Sequence, residues 1–138
     1  MELKLVKCDP KYYEFIRLLR TNPEITKSFL SQIKITKDDQ INYMTKYHNG
    51  YFICLQDNKP VGFIGIVDKD LRLAVSKEGH NKGIATFMLQ GVNEMNLEYE
   101  VQIKSDNIAS INFFEKNGFI KKASKYVDST ELLIMKKS

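Results

Sequence analysis

The sequence predicts an α/β chain, a mixed sheet with helices on its faces. Three observations predict it. Apolar residues recur at helical spacing twice before residue 50. Three short apolar runs separated by turn residues follow between positions 51 and 75. From residue 83 onward, helical and extended stretches alternate. The chain has 138 residues, the size of one domain, and neither a repeat nor a linker divides it, so 1–138 is expected to be a single domain. Hydrophobic residues make up 43% and charged residues 28%, ordinary globular values that exclude extensive disorder.

Each element has its own signal. Leu3 and Leu5 begin a short strand that ends near Asp9-Pro10. Tyr12, Phe15, Ile16 and Leu19 share one helical face, with Asp9 as N-cap and Pro10 at the first helical position. That helix stops before Pro23, because a residue preceding proline avoids the α region. Thr36 caps a second helix, and Asp38 and Asp39 favour its first turn. Ile41, Met44 and Tyr47 give it an apolar stripe, and Asn49-Gly50 closes it. The runs 51–55, 61–67 and 71–75 read as an antiparallel meander turned at Asp57 to Pro60 and at Asp68 to Asp70. Ile84, Phe87, Met88, Gly91, Val92 and Met95 recur as in a third helix. Glu98 to Lys104 alternates like a strand. Ile108 to Asn117 is a short helix that Gly118 ends in left-handed conformation. Two strands close the chain, about 119–127 and 131–136.

Composition excludes several function classes. No apolar run approaches the roughly 20 residues that cross a bilayer, and Met1 to Leu5 opens no signal-peptide core. A cytoplasmic protein without a membrane partner is expected. Cys8 and Cys54 lie in apolar segments without metal-ligand spacing, so both are expected to be reduced core residues, and no metal is expected. The net charge of +4 is spread almost evenly, with 11 basic and 8 acidic residues in positions 1–69 and 10 and 9 in the remainder. The 8 Phe and 7 Tyr fall mostly at core spacing. Even charge and core-spaced aromatics together argue against a nucleic-acid partner.

The segment 71–85 carries the chemistry. A strand runs into a loop holding Gly79, Asn81 and Gly83, then into a helix that opens with Ile84 and Ala85. The first N–H groups of a helix lack internal partners and the helix dipole adds positive character, so anions bind there. Glycine and asparagine tolerate positive φ and can aim several N–H groups at one point. Lys82 adds charge. Neither the dinucleotide fingerprint nor the P-loop spacing is present. On spacing alone, a plain glycine-bearing turn before a helix remains open.

The run His80-Asn81-Lys82-Gly83-Ile84-Ala85 resembles motif A of the GNAT superfamily of N-acetyltransferases, in which Gln or Arg, two residues, Gly, one residue and Gly or Ala follow a strand. His80 replaces the usual Gln or Arg and keeps a donor. Asn107 to Phe119, with Ser110, Ile111, Glu115, Lys116 and Gly118, resembles motif B. That form is typical of the branch that acetylates ribosomal-protein N-termini and amino sugars. Leu19 to Ile25 with Phe29 is similar to a Trp-Arg-Asn-x-Pro-x-Ile stretch of the same branch, which includes flagellin-type nucleotide-sugar acetyltransferases; Leu19 and Thr21 depart from it.

The resemblance implies a GNAT fold of order β1-α1-α2-β2-β3-β4-α3-β5-α4-β6-β7 and acetyl-CoA as co-substrate. It implies two splayed parallel strands, 71–75 and 99–104, with the cofactor in the gap. Leu73 and Val75 would pair with the pantetheine, and an N–H near Leu73 would polarise the thioester carbonyl. His80, Asn81, Lys82, Gly83, Ile84 and Ala85 would hold the pyrophosphate, and Asn107, Phe113, Phe114 and Lys116 would wall the other side. Arg20, Asn22 and Glu24 would line the acceptor loop. The acceptor is expected to be a primary amine, first of all on an amino sugar or nucleotide-linked amino sugar. A protein N-terminal amine and a non-catalytic coenzyme-A sensor are the alternatives.

Catalytic groups are less defined. Asp70 is a candidate base, although a turn role is the commoner reading of its position, Glu24 could bind the amine, and Tyr126 could protonate the leaving thiolate. The tyrosine that many family members use for that proton is Phe114 here. A monomer or homodimer is expected.

Overall fold

A computed structural model describes residues 2–22, 36–77 and 83–137. Its elements run β1 Leu3–Lys7, α1 Tyr13–Thr21, α2 Lys37–Tyr47, β2 Tyr51–Gln56, β3 Lys59–Val67 and β4 Asp70–Val75. They continue α3 Ile84–Asn93, β5 Val101–Lys104, α4 Ile108–Lys116, β6 Phe119–Val127 and β7 Thr130–Lys137. This is the expected mixed α/β order. The strands form two antiparallel sheets, β1-β2-β3-β4 and β5-β7-β6.

The sheets join where β4 begins. Asp70 and Glu100 form an isolated parallel bridge. The Leu71 N–H donates to the Glu100 carbonyl at 2.8 Å, and the Glu100 N–H donates to the Lys69 carbonyl at 2.8 Å. Beyond that bridge β4 stays with β3, whereas β5 pairs with β7. The strands 71–75 and 99–104 are therefore parallel neighbours only at their starts.

Three hairpins close with two consecutive left-handed residues and no glycine. Asp57 and Asn58 have φ of 50° and 68°, Asp68 and Lys69 of 52° and 66°, and Asp128 and Ser129 of 48° and 68°. Paired positive φ angles match the right-handed twist of the flanking strands. Asp and Asn accept the left-handed region more readily than other side chains.

The helix starts agree with their sequence signals. The Asp9 side chain accepts from the Lys11 N–H at 3.0 Å and opens a 3₁₀ turn, Pro10–Tyr12, so the α-helix proper begins three residues later than expected. Thr36 and Asp39 form a reciprocal capping box, with Thr36 Oγ1 accepting from the Asp39 N–H at 3.1 Å. Gly118 is left-handed, with φ of 87°.

The buried face of α2 differs from the predicted stripe. Met44 is fully buried, but Ile41 is 52% exposed while Gln40 is 1% exposed. Positions 40, 43, 44 and 47 share one side of a helix, and 41 lies about 100° away. Gln40 is tolerated inside because its Nε2 donates to the Tyr13 carbonyl at 3.1 Å. Gly50 does not close α2 in left-handed form. It ends a 3₁₀ turn, His48–Gly50, where a Cβ would lie 2.3 Å from the Ile66 carbonyl oxygen. Met95 falls beyond α3 and is exposed.

Two apolar clusters sandwich the first sheet. Ile84, Met88, Leu89 and Val92 of α3 pack with Ile64, Leu71, Val101, Ile103, Phe114 and Met135, and so bind both sheets together. Ile16 and Leu19 of α1 and Met44 of α2 pack with Tyr51, Ile53, Phe63 and Ala74 on the opposite face. Burying each of the Ile, Leu, Val, Met and Phe side chains stabilises the fold by about 1.5–3 kcal/mol. Cys54 lies in the first cluster and Cys8 in the second, both as free thiols. Burial pushes the Cys54 thiol up to about 11 and the Cys8 thiol up to about 12, the latter aided by the Asp9 charge.

Candidate functional site

β4 organises the site. The Ser76 N–H donates to the Val61 carbonyl at 2.7 Å, and the register pairs Gly62 with Val75. In an antiparallel ladder bonded positions alternate, so Asp70, Arg72 and Ala74 turn their backbone groups toward β3. Leu71, Leu73 and Val75 turn theirs to the other side. Leu71 meets Glu100 there. At Leu73 that side faces the gap left by the departing β5. The expected splay is thus present, and the cofactor-pairing candidate Leu73 lies along its β4 edge.

Gly83 opens the first α-helix after β4. It is the N-cap of α3, left-handed with φ of 73°, and its carbonyl accepts from the Phe87 N–H at 3.0 Å. A Cβ there would meet nothing within 4 Å, so glycine serves the backbone conformation rather than a tight fit. The side chain of Ile84 is buried in the core, which fixes the helix start. The first amides of α3, from Ile84 and Ala85 onward, lack helical acceptors, as at any helix N-terminus. His80, Asn81 and Lys82 lie outside the described residues.

α4 supplies the other wall. The Asn107 side-chain oxygen accepts from the Ser110 N–H at 3.2 Å, while its Nδ2 is buried with no partner among the described residues. Such a donor costs free energy until something accepts from it. Phe113 is half-buried, and Phe114 stacks edge-on against it and against Phe119. Phe114 is 5% exposed and belongs to the cluster with Leu71, Ile84 and Ile103. Its ring is therefore part of the core that supports both strands. Lys116 is exposed at the end of α4, about 13 Å of helix away from Asn107. The candidate residues of this wall do not converge on one point.

Arg72 faces α1 and α2 from the middle of β4. Its Nη2 lies 3.1 Å from Asp70 Oδ2 and its Nη1 donates to the Tyr43 hydroxyl at 3.3 Å. Tyr43 shares a 2.7 Å hydrogen bond with the Tyr51 hydroxyl, and the Arg20 guanidinium lies 4.7 Å from the Tyr43 ring centroid. Burial raises the Asp70 carboxyl above its ordinary range, against the lowering effect of Arg72. Lys125 of β6 and Glu100 also act on that carboxyl. Burial likewise raises the Tyr51 phenol. Arg20 and Asp70 were expected at the site from sequence; Arg72, Tyr43 and Tyr51 were not. Tyr126 is 71% exposed on β6 opposite Glu131, and Glu24 lies outside the described residues. Asn22 follows α1 in extended conformation.

Beyond one parallel bridge β4 and β5 pair with different strands, and the helix after β4 starts at a left-handed glycine. The Acetyltransferase (GNAT) family matches residues 13–119, and the chain belongs to that family of acetyltransferases. No curated protein matches it. A spermidine N-acetyltransferase of Vibrio cholerae, in complex with CoA and spermine, has a TM-score of 0.83 at 15% identity, over 96% of this chain and 93% of that one. An N-acetyltransferase of Staphylococcus aureus Mu50 gives 0.82 at 15% identity, over 98% and 97%. Arabidopsis thaliana Naa50, in complex with the bisubstrate analogue CoA-Ac-MVNAL, gives 0.74 at 17% identity, over 100% and 99%. Among the described residues no helix is long and apolar enough to cross a membrane, and no group of three metal-ligating side chains occurs.

Proposed function

We propose that the 138-residue chain is a single catalytic domain that transfers acetyl from acetyl-CoA to the primary amine of an amino sugar, nucleotide-linked forms included. The seam between β4 and β5 carries this reading, since it offers backbone hydrogen-bonding groups to an extended ligand. Leu73 and Val75 pair with the pantetheine as an added strand would. Gly83, Ile84 and Ala85 offer orphan N–H groups to the pyrophosphate, with His80, Asn81 and Lys82 before them. Asn107 donates its spare N–H from the opposite wall, where Phe113, Phe114 and Lys116 complete the surface.

Acetyl-CoA supplies an activated thioester carbonyl. The Leu73 N–H would stabilise the developing oxyanion, an effect of about 3 kcal/mol in comparable sites. The amine nitrogen attacks the carbonyl carbon, the C–S bond breaks, and the amine yields its proton. Asp70 receives it, its carboxyl raised by burial toward a useful basicity. Glu24 orients the amine. Phe114 has no hydroxyl for the thiolate, so water or Tyr126 delivers that proton.

Titration calorimetry tests the proposal. Acetyl-CoA should bind below 1 mM (about −4 kcal/mol or better), and thiol release should follow on adding glucosamine. No heat at that concentration overturns the reading. The core position of Phe114 favours one second reading, a coenzyme-A sensor without turnover. Binding with no thiol release on amino sugars, peptides or polyamines would establish it.

A further inference from the structure

Side chains alternate along β4. Leu71 and Leu73 pack with the α3 cluster, while Ala74 and Arg72 turn toward α1 and α2. There two guanidiniums flank one phenol. Arg20 lies over the Tyr43 ring and Arg72 donates to the Tyr43 hydroxyl. Only Asp70 forms an ion pair with either of them among the described residues. The Arg72 side chain is 33% exposed, yet its Nε is buried with no hydrogen-bond partner in the described structure. Lys125 adds a further cation near Asp70, and Glu100 a further anion. A guanidinium carries five donors in a rigid fork suited to planar oxyanions. Among the described residues, Asp70, Tyr43 and Tyr51 engage Arg72 and still leave its buried Nε without a partner, which costs stability unless something else accepts from it.

We infer that Arg20 and Arg72, with Tyr43 between them, form a subsite for an anionic group, phosphate or carboxylate, carried by the amine acceptor. This rests on the acetyl-transfer reading and names the substrate class within it. Position along β4 separates the subsite from the cofactor's own phosphates. Arg72 lies three residues before Val75, about 10 Å back along the strand from the end that leads to Gly83. It is also next to Leu73, about 3.8 Å between Cα atoms. An anion held at Arg72 would then set the acceptor on the α1 and α2 face of β4, next to the edge that Leu73 offers the cofactor. A polyamine fits this face poorly, because two fixed guanidiniums repel its second ammonium.

Calorimetry in the presence of CoA reads the inference without turnover. The probes are glucosamine, glucosamine 6-phosphate, glucosaminate and spermidine. One of the two anionic sugars should bind at least tenfold more tightly than glucosamine, and which one identifies the oxyanion. Arg72→Gln and Arg20→Gln should each cut that preference at least fivefold. Arg20 sits on the last turn of α1, so its variant keeps the test decisive if Arg72→Gln fails to fold. Three results overturn the inference: no preference for either anionic sugar, tighter binding of spermidine, or a preference that survives both substitutions. Loss of acetyl-CoA binding, titrated separately, would instead sink the acetyltransferase reading.

Discussion

The two faces of β4 are built from the same six residues, Asp70–Val75, yet they differ in chemistry. Leu71 and Leu73 pack into the cluster that α3 shares with both sheets. Arg72, one residue between them, meets Tyr43 and Asp70 on the other side. One strand thus anchors itself by apolar burial on one face and keeps a polar, partly exposed face toward α1 and α2. Its backbone is independent of both choices, and that leaves the edge at Leu73 open to a ligand. The lesson is that period-two alternation lets one strand pack on one face, carry polar side chains on the other and still present a backbone edge.

The strongest test of the comparison removes packing from each face. Phe63→Ala, under α1 and α2, should cost about 3–5 kcal/mol in urea unfolding, and Leu89→Ala, on the buried face of α3, about 2–5 kcal/mol. A loss below 1 kcal/mol on either side would mean that face is not a packed core.

Next in size is Tyr43→Phe. It strands the buried Tyr51 hydroxyl and one Arg72 donor, and should lower stability by about 1–3 kcal/mol. A neutral result in thermal melts would show that the polar cluster is held by water instead. Gly118→Ala probes the end of α4, where φ is 87° and the nearest atom to a new Cβ, Lys137 Cε, is 4.0 Å away. Only backbone strain is at stake there, so a loss of about 1–2 kcal/mol is expected.

The smallest effect concerns pH. Cys54 titrates near 11 in the fold against an ordinary value of 9.0. The native state therefore holds that proton more tightly. Its contribution is complete below pH 9.0 and is lost as pH rises toward 11. Cys54→Val should flatten the fall in stability between pH 8 and pH 10 by at most about 1 kcal/mol. An unchanged slope would mean the thiol ionises freely in the native state.

Much of the fold was legible in the sequence because its signals are local. Thr36 with Asp39, Asp9 before Pro10, and the Asp-led turns act within four residues of themselves. Facing was harder. Ile41 and Gln40 differ by one position, and hydrophobicity favoured the wrong one, because the hydrogen bond that admits Gln40 is donated to the Tyr13 carbonyl, 27 residues away. Asn49-Gly50 does end the helical stretch, but the reason for glycine there was not legible, since the carbonyl it approaches belongs to Ile66 on another strand. At the site, the β4 edge and Gly83 were legible from the strand-to-helix motif. The Arg72, Tyr43 and Tyr51 cluster was not, because its members come from β4, α2 and β2 and meet only when α2 packs on the sheet. The motif position of Phe114 was readable, but its burial depends on Phe119 and the second sheet.

The edge strand β6 bears on how the molecule behaves in a crowd of its own copies. Eight of its nine residues are exposed, and among the described strands it pairs with β7 alone. A long open edge is a template on which another chain can add itself. Lys121, Lys122 and Lys125 interrupt this one with like charges. Here the lysines act as gatekeepers, opposing aggregation at that edge without contributing to the packed core.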